Sequence, residues 1–235
     1  MAIYVTSDAH GHVRTLDEAL SKISLASDDT LYVLGDMIDR GPDPVGVIKL
    51  VRSLPNARVL KGNHEQIMLD AIIGQDPLDA ETWDINGGWT TRQQLNDMEF
   101  EAYEELVRWM ATLPLYAVAE TDERPYLLVH AGIQTEAARA FLFEHGVDCA
   151  DGTGAVDADR ELLKQMLAVQ SSDDLLWIRH GYWDAPTGLL SAEGKGPVVV
   201  SGHTPTVSLG RYCEVGGLAG LDEESGRGRI VRLGG

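Results

Sequence analysis

Short apolar runs alternate with amphipathic stretches through the first third of the chain. Three short runs are predicted strands: Ile3-Tyr4-Val5, which is rich in β-branched and aromatic residues, Leu31–Leu34 and Ala57–Leu60. Each run is followed by apolar residues at three- to four-residue spacing, first from Val13 to about Ala26, which predicts amphipathic helices. The alternation of strand and helix over residues 1–73 indicates a parallel sheet covered by helices.

Residues 74 to about 112 follow a different pattern. Gln75-Asp76-Pro77 and Asn86-Gly87-Gly88 interrupt the periodicity, and helical spacing resumes over Thr90–Met98 and Phe100–Ala111. We interpret this stretch as a helical insertion within a single domain that spans residues 1–235. Its three tryptophans are interpreted as core residues rather than as a stacking platform: Trp83, Trp89 and Trp109.

The second half of the chain again mixes strand and helix patterns. A strand pair is predicted at Leu115–Ala119 and Tyr126–Val129, and a further strand at Pro197–Val200. Helical spacing covers Glu136–Glu144 and Asp159–Val169. Two more segments are candidate closing strands: Arg211–Val215 and Gly228–Leu233.

The charge balance narrows the range of partners. Among 235 residues, 37 are acidic and 19 are basic, so the formal net charge is -18, and no Lys/Arg run is present. Binding to a nucleic-acid backbone requires clustered basic side chains, so we expect no nucleic-acid partner. No window approaches the roughly 18 consecutive apolar residues of a membrane helix, so we also expect no membrane partner.

Cysteine usage and the start of the sequence indicate the compartment. Cys149 and Cys213 form neither a disulfide framework nor a CxxC pair, which fits a reducing environment. Met1 leads directly into a predicted strand, with no basic segment and no apolar signal-peptide core. We therefore expect a cytoplasmic protein, whose oligomeric state the sequence does not indicate.

Polar residues that can bind a metal ion follow the predicted strands. Five strand ends carry Asp, His or Asn: Asp8 with His10, Asp36 with Asp39, Asn63 with His64, His130, and His203. Neighbouring strand ends project to one edge of a sheet, so these side chains can converge. A single histidine after a strand more often satisfies a hydrogen bond, but turn chemistry does not explain five such ends.

The set of side chains indicates a class of metal. Mixed oxygen and imidazole ligands suit Mn, Fe, Zn or Co and suit Ca poorly. More candidate ligands are present than the four of a closed structural zinc site. The set therefore predicts two ions, roughly 3.5 to 4 Å apart, that share a bridging carboxylate and a bridging water.

Five motifs carry a resemblance to a known family. In order, they are Asp8-x-His10, Gly35-Asp36-x-x-Asp39-Arg40-Gly41, Gly62-Asn63-His64-Glu65, His130-Ala131-Gly132 and Gly202-His203. The series resembles that of the calcineurin-like metallophosphoesterases, and most of all the PPP-type serine/threonine phosphatases in their compact bacterial and bacteriophage lambda form. The resemblance implies an α/β fold with mixed β-sheets, a β-sandwich flanked by helices. It also implies two divalent ions, with Mn the first choice and Fe, Zn or Co the alternatives.

The resemblance implies a role for each metal-binding position. One ion would be held by Asp8, His10 and Asp36. The other would be held by four residues, with Asp36 as the bridge: Asp36, Asn63, His130 and His203.

The resemblance also implies which residues act on the substrate. His64 would protonate the departing alkoxide, with Asp39 orienting it. Arg40 would bind phosphate oxygens, with Asn63 contributing to the phosphate site. In Trp177-Ile178-Arg179, the arginine corresponds to one that reaches the phosphate from a loop in the lambda-type enzymes, although an arginine in a solvated loop is an equal alternative.

Some positions match only partly or not at all. Trp83-x-x-Asn86-Gly87-Gly88 resembles a segment of the lambda-type enzymes, without a role that the resemblance supplies. Glu214-Val215-Gly216-Gly217 stands where the family often has Asp-x-Gly. His12 and His180 match no ligand position, and we interpret both as surface or supporting residues.

Three functions fit the sequence. Asp39 and Glu65 favour a phosphatase that acts on phosphorylated protein or peptide by direct water attack, because related diadenosine tetraphosphate hydrolases tend to lack the first and to read Asn-His-Asp. The alternative is such a bis(5'-nucleosyl)-tetraphosphatase, since the size and Arg40-Gly41-Pro42 suit either. A non-catalytic phosphate-binding protein is the third, and it is disfavoured because no ligand position is missing.

Overall fold

The structure is a computed structural model. It describes residues 1–74, 76–149, 154–179, 188–189, 194–204, 213–215, 218–220 and 230–234. In 213–215 and 218–220 the backbone alone is described. His180 and Gly216-Gly217 lie outside the described residues.

Within these residues the chain forms nine strands and nine helices. The strands are β1 (Ile3–Thr6), β2 (Thr30–Val33), β3 (Ala57–Val59), β4 (Tyr116–Glu120), β5 (Pro125–Val129), β6 (Val198–Ser201), β7 (Cys213–Val215), β8 (Leu218–Gly220) and β9 (Val231–Leu233). The helices are α1 (Val13–Lys22), α2 (Pro44–Ser53), α3 (Asn63–Ile73), α4 (Pro77–Ile85), α5 (Trp89–Asn96), α6 (Phe100–Ala111), α7 (Thr135–Glu144), α8 (Arg160–Ala168) and α9 (Ser172–Trp177).

The first sheet has the order β3-β2-β1-β9. β1, β2 and β3 pair in parallel, as their alternation with α1, α2 and α3 predicts, while β9 pairs antiparallel to β1. This sheet places the ends of three parallel strands side by side. The connections that begin after β1, β2 and β3 therefore start at one edge of the sheet.

The second sheet has the order β4-β5-β6-β8-β7. β4 and β5 form the predicted antiparallel pair, and β5 and β6 run in parallel. The parallel pair brings the segments after Val129 and Ser201 next to each other. β8, which the sequence pattern did not indicate, pairs in parallel with β6.

The two sheets pack face to face. Alternate residues of β1 and β5, such as Ile3, Val5 and Leu128, are buried in one cluster between the sheets. The intervening residues, such as Leu127 and Val129, pack on the helices instead. The predicted mixed α/β sandwich flanked by helices is therefore confirmed, with a layer of helices outside each sheet.

The insertion contains three helices, α4, α5 and α6, rather than the two helical patches that the pattern predicts. α4 begins at Pro77, and the Asp76 carboxylate accepts a hydrogen bond from the backbone N–H of Leu78. Proline is compatible with the first helical turn, so a segment interpreted as an interruption in fact starts a helix. The single-domain organisation over residues 1–235 stays a prediction.

The tryptophans of the insertion differ in burial. Trp83 is 3% exposed and Trp109 packs partly buried against the first core cluster. Trp89 is 61% exposed, so its interpretation as a core residue is wrong. Among the described residues, no helix combines the length and apolarity needed to cross a membrane.

Candidate active site

The polar residues predicted at the strand ends come together in the structure. They are buried, each at most 3% exposed: Asp8, His10, Asp36, Asp39, Asn63, His64, His130 and His203. The first sheet contributes the ends of β1, β2 and β3, and the second contributes the ends of β5 and β6. Burying so many ionisable groups is unfavourable unless they pair with one another or with a bound ion.

Unusual backbone conformations are concentrated at the same strand ends. Among the described residues, six that are not glycine have positive φ: Asp8 (54°), His10 (41°), Asp36 (53°), Asp39 (67°), Arg40 (63°) and His203 (62°). All six belong to the predicted site. Left-handed conformations of this kind cost free energy and persist where the surrounding structure enforces them, as at functional sites.

Gly35 allows two strand ends to approach each other. Its φ is +99°, and a Cβ there would lie 2.4 Å from the backbone nitrogen of Gly62. Any other residue would separate the segment after β2 from the segment after β3. The glycine that precedes Asp36 is therefore needed to bring Asp36 next to Asn63 and His64.

Two groups of buried side chains have the spacing of metal ligands. The groups are His10, Asp36 and His64, and Asp36, His130 and His203, with ligand atoms within 4.8 Å of one another. The Asp36 carboxylate belongs to both groups. One of its oxygens lies 3.6 Å from His10 Nε2 and 3.5 Å from His130 Nε2. This position suits the proposed bridge between two ions.

The ring orientations of two histidines also suit metal binding. Nδ1 of His10 lies 2.9 Å from the carbonyl oxygen of Ile38, and Nδ1 of His130 lies 2.7 Å from that of Leu34. A carbonyl can only accept, so each Nδ1 carries the proton and each Nε2 presents its lone pair to the site when the ring is neutral. Metal-binding histidines commonly have this second contact.

Asn63 contacts one of these two groups of possible ligands, and Asp8 belongs to neither group. Oδ1 of Asn63 lies 2.9 Å from His130 Nε2 and 3.0 Å from His203 Nδ1, so it joins the second group. Asp8 lies outside both groups, and its carboxylate accepts the backbone N–H of His203. Its role as a ligand stays a prediction.

The charges in the site depend on one another. Burial would raise the pKa of the Asp36 carboxyl, but the surrounding imidazoles lower it well below the usual aspartate range, His130 most of all. Burial and the charge of Asp36 raise the pKa of Asp8. Burial would lower the pKa of His130, yet the carboxylates of Asp36 and Asp8 raise it to about 9. These buried carboxylates therefore favour a cation between them.

The donor set fits divalent ions of the Mn, Fe, Zn and Co class. Buried imidazole nitrogens together with a shared carboxylate are the ligands that such ions prefer. In the metal-free protein, protonation of His130 supplies the positive charge that Asp36 favours. A metal ion would take the place of that proton, so binding is coupled to its release.

We expect the metal-free protein to lose stability as the pH rises through about 9. The folded-state pKa of His130 exceeds the ordinary value of 6.5, so its contribution is fully present below 6.5 and is lost as the pH rises through about 9. The loss is on the order of a few kcal/mol, since one pKa unit corresponds to about 1.4 kcal/mol. Thermal unfolding of chelator-treated wild type and His130→Gln across this range measures it. Parallel pH dependences in the two proteins would contradict the expectation.

His64 and Asp39 form a buried pair. Nδ1 of His64 lies 2.7 Å from the Asp39 carboxylate, the contact expected of a histidine that an aspartate orients. A carboxylate accepts this hydrogen bond, which places the proton on Nδ1 and leaves Nε2 for another partner. The same histidine belongs to the first group of possible ligands, so acid and ligand are both chemically available roles.

The two arginines lie beside the histidines of the site. Nη1 of Arg40 is 3.1 Å from His10 Nε2, and Nη2 of Arg179 is 3.5 Å from His203 Nδ1. Arg179 follows α9 and its side chain is exposed, so it lies beside the site and in solvent at once, and its role at the phosphate stays a prediction. His12 is half-buried at the start of α1 and belongs to neither group of possible ligands.

Three residues of the site were not assigned a role by their sequence pattern. Both oxygens of the buried Glu65 carboxylate accept backbone N–H groups, at 2.8 Å each, from Asp36, Met37 and Gly62. Burial and the charge of Asp36 raise the pKa of Glu65. Trp83 and Thr91 of the insertion donate to Asp39. The motif around Trp83 was the only sequence signal for these last two.

The chain is similar in sequence to bacterial enzymes that are named for the hydrolysis of a dinucleoside tetraphosphate. The chain is 29% identical over 222 residues to a symmetrical bis(5'-nucleosyl)-tetraphosphatase of Proteus mirabilis, which covers 91% of this chain and 68% of that protein. Matches to other proteins of the same name, from Erwinia tasmaniensis and Salmonella strains, cover 45% and 44% of their length.

Two solved structures share the fold. One, provisionally assigned as a diadenosine tetraphosphatase, has a TM-score of 0.57 and 18% identity, covering 99% of this chain and 92% of the other. A protein serine/threonine phosphatase from Saccharomyces cerevisiae has a TM-score of 0.56 and 15% identity, covering 99% and 72%.

The family assignment rests on most of the chain. Residues 1–224 match the family described as calcineurin-like phosphoesterase. The match spans every strand end that contributes to the site. It agrees with the buried set of carboxylate, amide and imidazole groups. This protein therefore belongs to the calcineurin-like phosphoesterase family.

Proposed function

We propose that this protein is a metal-dependent phosphohydrolase that cleaves bis(5'-nucleosyl) tetraphosphates symmetrically. The observation that carries the proposal is the relative of that name, which matches 91% of the chain. The sequence-based preference for a phosphorylated protein or peptide has no comparable support. A nucleotide substrate is compatible with the absence of a Lys/Arg run, because a small anion does not require the extended basic surface that a nucleic acid does.

The arrangement of the site supports hydrolysis of a phosphorus–oxygen bond. We propose that Asp8, His10, Asp36, Asn63, His130 and His203 hold two divalent ions. When bound, such a pair supplies Lewis-acid polarisation of a phosphoryl oxygen and lowers the pKa of water. Mn is our first choice of metal, with Fe, Zn and Co as alternatives.

The remaining side chains bind and orient the substrate. Arg40 and Arg179, beside His10 and His203, supply guanidinium groups that bind phosphate oxygens. Trp177 is 42% exposed, and its ring centroid lies 6.1 Å from that of His203. An exposed indole at this position offers a flat surface to a nucleobase.

A phosphomonoesterase acting on phosphorylated protein or peptide is the second candidate. The observation that favours it is the buried His64–Asp39 pair, which supplies a positioned acid. An alkoxide leaving group needs protonation far more than a nucleoside diphosphate does. The pair therefore has greater value for a phosphoserine or phosphothreonine ester than for an anhydride.

We expect kcat/KM for diadenosine tetraphosphate to exceed that for a phosphoserine peptide by at least about tenfold, a difference of about 1.4 kcal/mol in transition-state binding. We expect this preference because the relatives share the name of a dinucleoside tetraphosphate hydrolase and because an exposed indole lies beside the site. The measurement compares both substrates with Mn after chelation and metal reconstitution, with chromatography of the nucleotide products. Two nucleoside diphosphates are the expected products.

The same assay separates the other candidates. A preference for the phosphopeptide would overturn the nucleotide proposal in favour of the second candidate. Failure of the reconstituted protein to hydrolyse either substrate or p-nitrophenyl phosphate would instead favour a non-catalytic phosphate-binding protein.

A further inference from the structure

Within the described part of the chain, three side chains form hydrogen bonds with the carboxylate of Asp39. His64 Nδ1 contacts one oxygen at 2.7 Å, and the Thr91 hydroxyl donates to the other at 2.6 Å. The indole N–H of Trp83 lies between the two oxygens, at 3.1 and 3.2 Å. Asp39 and Thr91 are both 0% exposed, so neither of them is hydrated from bulk water.

The chemistry of these donors fixes the direction of each hydrogen bond. An indole N–H can only donate. The Thr91 hydroxyl accepts the backbone N–H of Asp39 at 2.9 Å, which directs its own proton toward the carboxylate. The carboxylate oxygen left for His64 can then only accept, so Nδ1 of His64 carries a proton and Nε2 faces away from Asp39.

We propose that Trp83 and Thr91 are positioning residues, which fix the Asp39 carboxylate and through it the tautomer and ring orientation of His64. The proposal rests on one part of the proposed function, the hydrolysis of a phosphorus–oxygen bond, because it assigns how the insertion supports the acid of that site. A carboxylate at 0% exposure, such as that of Asp39, needs hydrogen-bond donors in place of water, and Trp83 and Thr91 supply two of them. Neither Trp83 nor Thr91 needs to touch the substrate.

The segment Trp83-x-x-Asn86-Gly87-Gly88 gains a physical explanation from this arrangement. Gly88 lies against the indole, and a Cβ there would lie 2.2 Å from Cδ1 of Trp83. The carbonyl oxygen of Gly87 accepts the backbone N–H of Arg40 at 3.0 Å. The motif therefore positions the indole against Asp39. The same turn also binds the backbone N–H of Arg40, the residue that follows Asp39 in sequence.

The test uses variants that remove one donor at a time. Thr91→Val removes the hydroxyl at nearly constant volume, and Trp83→Phe removes the N–H while keeping an aromatic ring. Thr91→Ser restores the hydroxyl. The matched controls are Thr90→Val and Trp109→Phe: the Thr90 hydroxyl is buried and has no hydrogen-bond partner among the described residues, and Trp109 stacks with Arg52.

The first readout does not require metal or activity. In the metal-free protein, proton NMR should show the Nδ1 proton of His64 far downfield and protected from exchange, assigned by its loss in His64→Gln. We expect Thr91→Val and Trp83→Phe to shift or broaden this resonance, and Thr91→Ser and both controls to keep it. An unprotected resonance in the wild type, or an unchanged one in both variants, would overturn the proposal.

The second readout is the leaving-group dependence of kcat. With Mn, we expect Thr91→Val and Trp83→Phe to slow hydrolysis of an alkyl phosphate by about tenfold or more, the scale of supporting contacts around a functional residue. Loss on p-nitrophenyl phosphate should be smaller, because its leaving group needs less protonation. Equal losses on both esters would indicate a structural role only and overturn the proposal.

The two proposals fail in different ways. If diadenosine tetraphosphate is not cleaved in preference to a phosphopeptide, the proposed substrate is wrong, while the NMR and leaving-group comparisons still decide the roles of Trp83 and Thr91. If those comparisons show no effect of either variant, the positioning proposal is wrong, whatever the substrate is.

Discussion

Replacing Asp36 with asparagine is expected to slow hydrolysis by at least about 10³-fold, the upper range for removing one group that stabilises transition-state charge. The carboxylate belongs to both groups of possible ligands, so its loss should weaken binding of both ions rather than one. Asparagine has nearly the same shape and tolerates the left-handed backbone at this position, where φ is 53°. The fold should therefore survive the change.

The measurement is metal content after reconstitution with Mn, together with kcat/KM on p-nitrophenyl phosphate. Asp17→Asn, on the exposed face of α1, is a matched control that should keep both values. An Asp36→Asn protein that keeps two ions and more than a tenth of the activity would show that Asp36 is not the bridge.

Replacing His64 with alanine is expected to leave metal content unchanged while slowing turnover of alkyl phosphates by about 10² to 10³-fold, within the range for general acid catalysis. The reason is that its Nδ1–H is bound to Asp39, so that in the imidazolium form, which has a proton on each nitrogen, the Nε2 proton is the one available to a leaving oxygen. Diadenosine tetraphosphate and p-nitrophenyl phosphate should lose less, because their leaving groups are better.

Metal content decides between the two roles available to His64. Loss of an ion from His64→Ala, equal to that from Asp36→Asn, would show that His64 is a ligand, as its place beside His10 and Asp36 allows. His145→Ala, at an exposed position after α7, is the control for removing an imidazole. It should change neither metal content nor turnover.

The local pattern of apolar and polar residues was sufficient to predict the strands whose ends carry the site residues. β1, β2 and β3 alternate with helices as predicted, because short apolar runs and amphipathic spacing are both local features of the chain. The helix at α4 was missed, because Pro77 both interrupts an apolar pattern and begins a helix. Propensity alone does not separate these two uses of proline.

The sequence by itself determined which residue types end the strands, and hence the chemistry of the site. Asp36, His130 and His203 were identifiable because Asp and His after apolar runs leave a local signal. The family resemblance gave them an order and a role, and the match over residues 1–224 confirms the family, while the role of each residue stays a prediction. No local sequence signal of this kind identified the substrate, since a tetraphosphate and a phosphoprotein present similar groups to the metal site.

Only the tertiary structure decided which side chains support the site from a distance. Thr91 lies 52 residues from Asp39 in sequence and Trp83 lies 44, yet both donate to its carboxylate. The hydrophobic periodicity of the sequence does not predict such a contact, because the contact depends on how the insertion packs against the strand ends. Burial adds to its strength, since a carboxylate at 0% exposure depends on such donors in place of water.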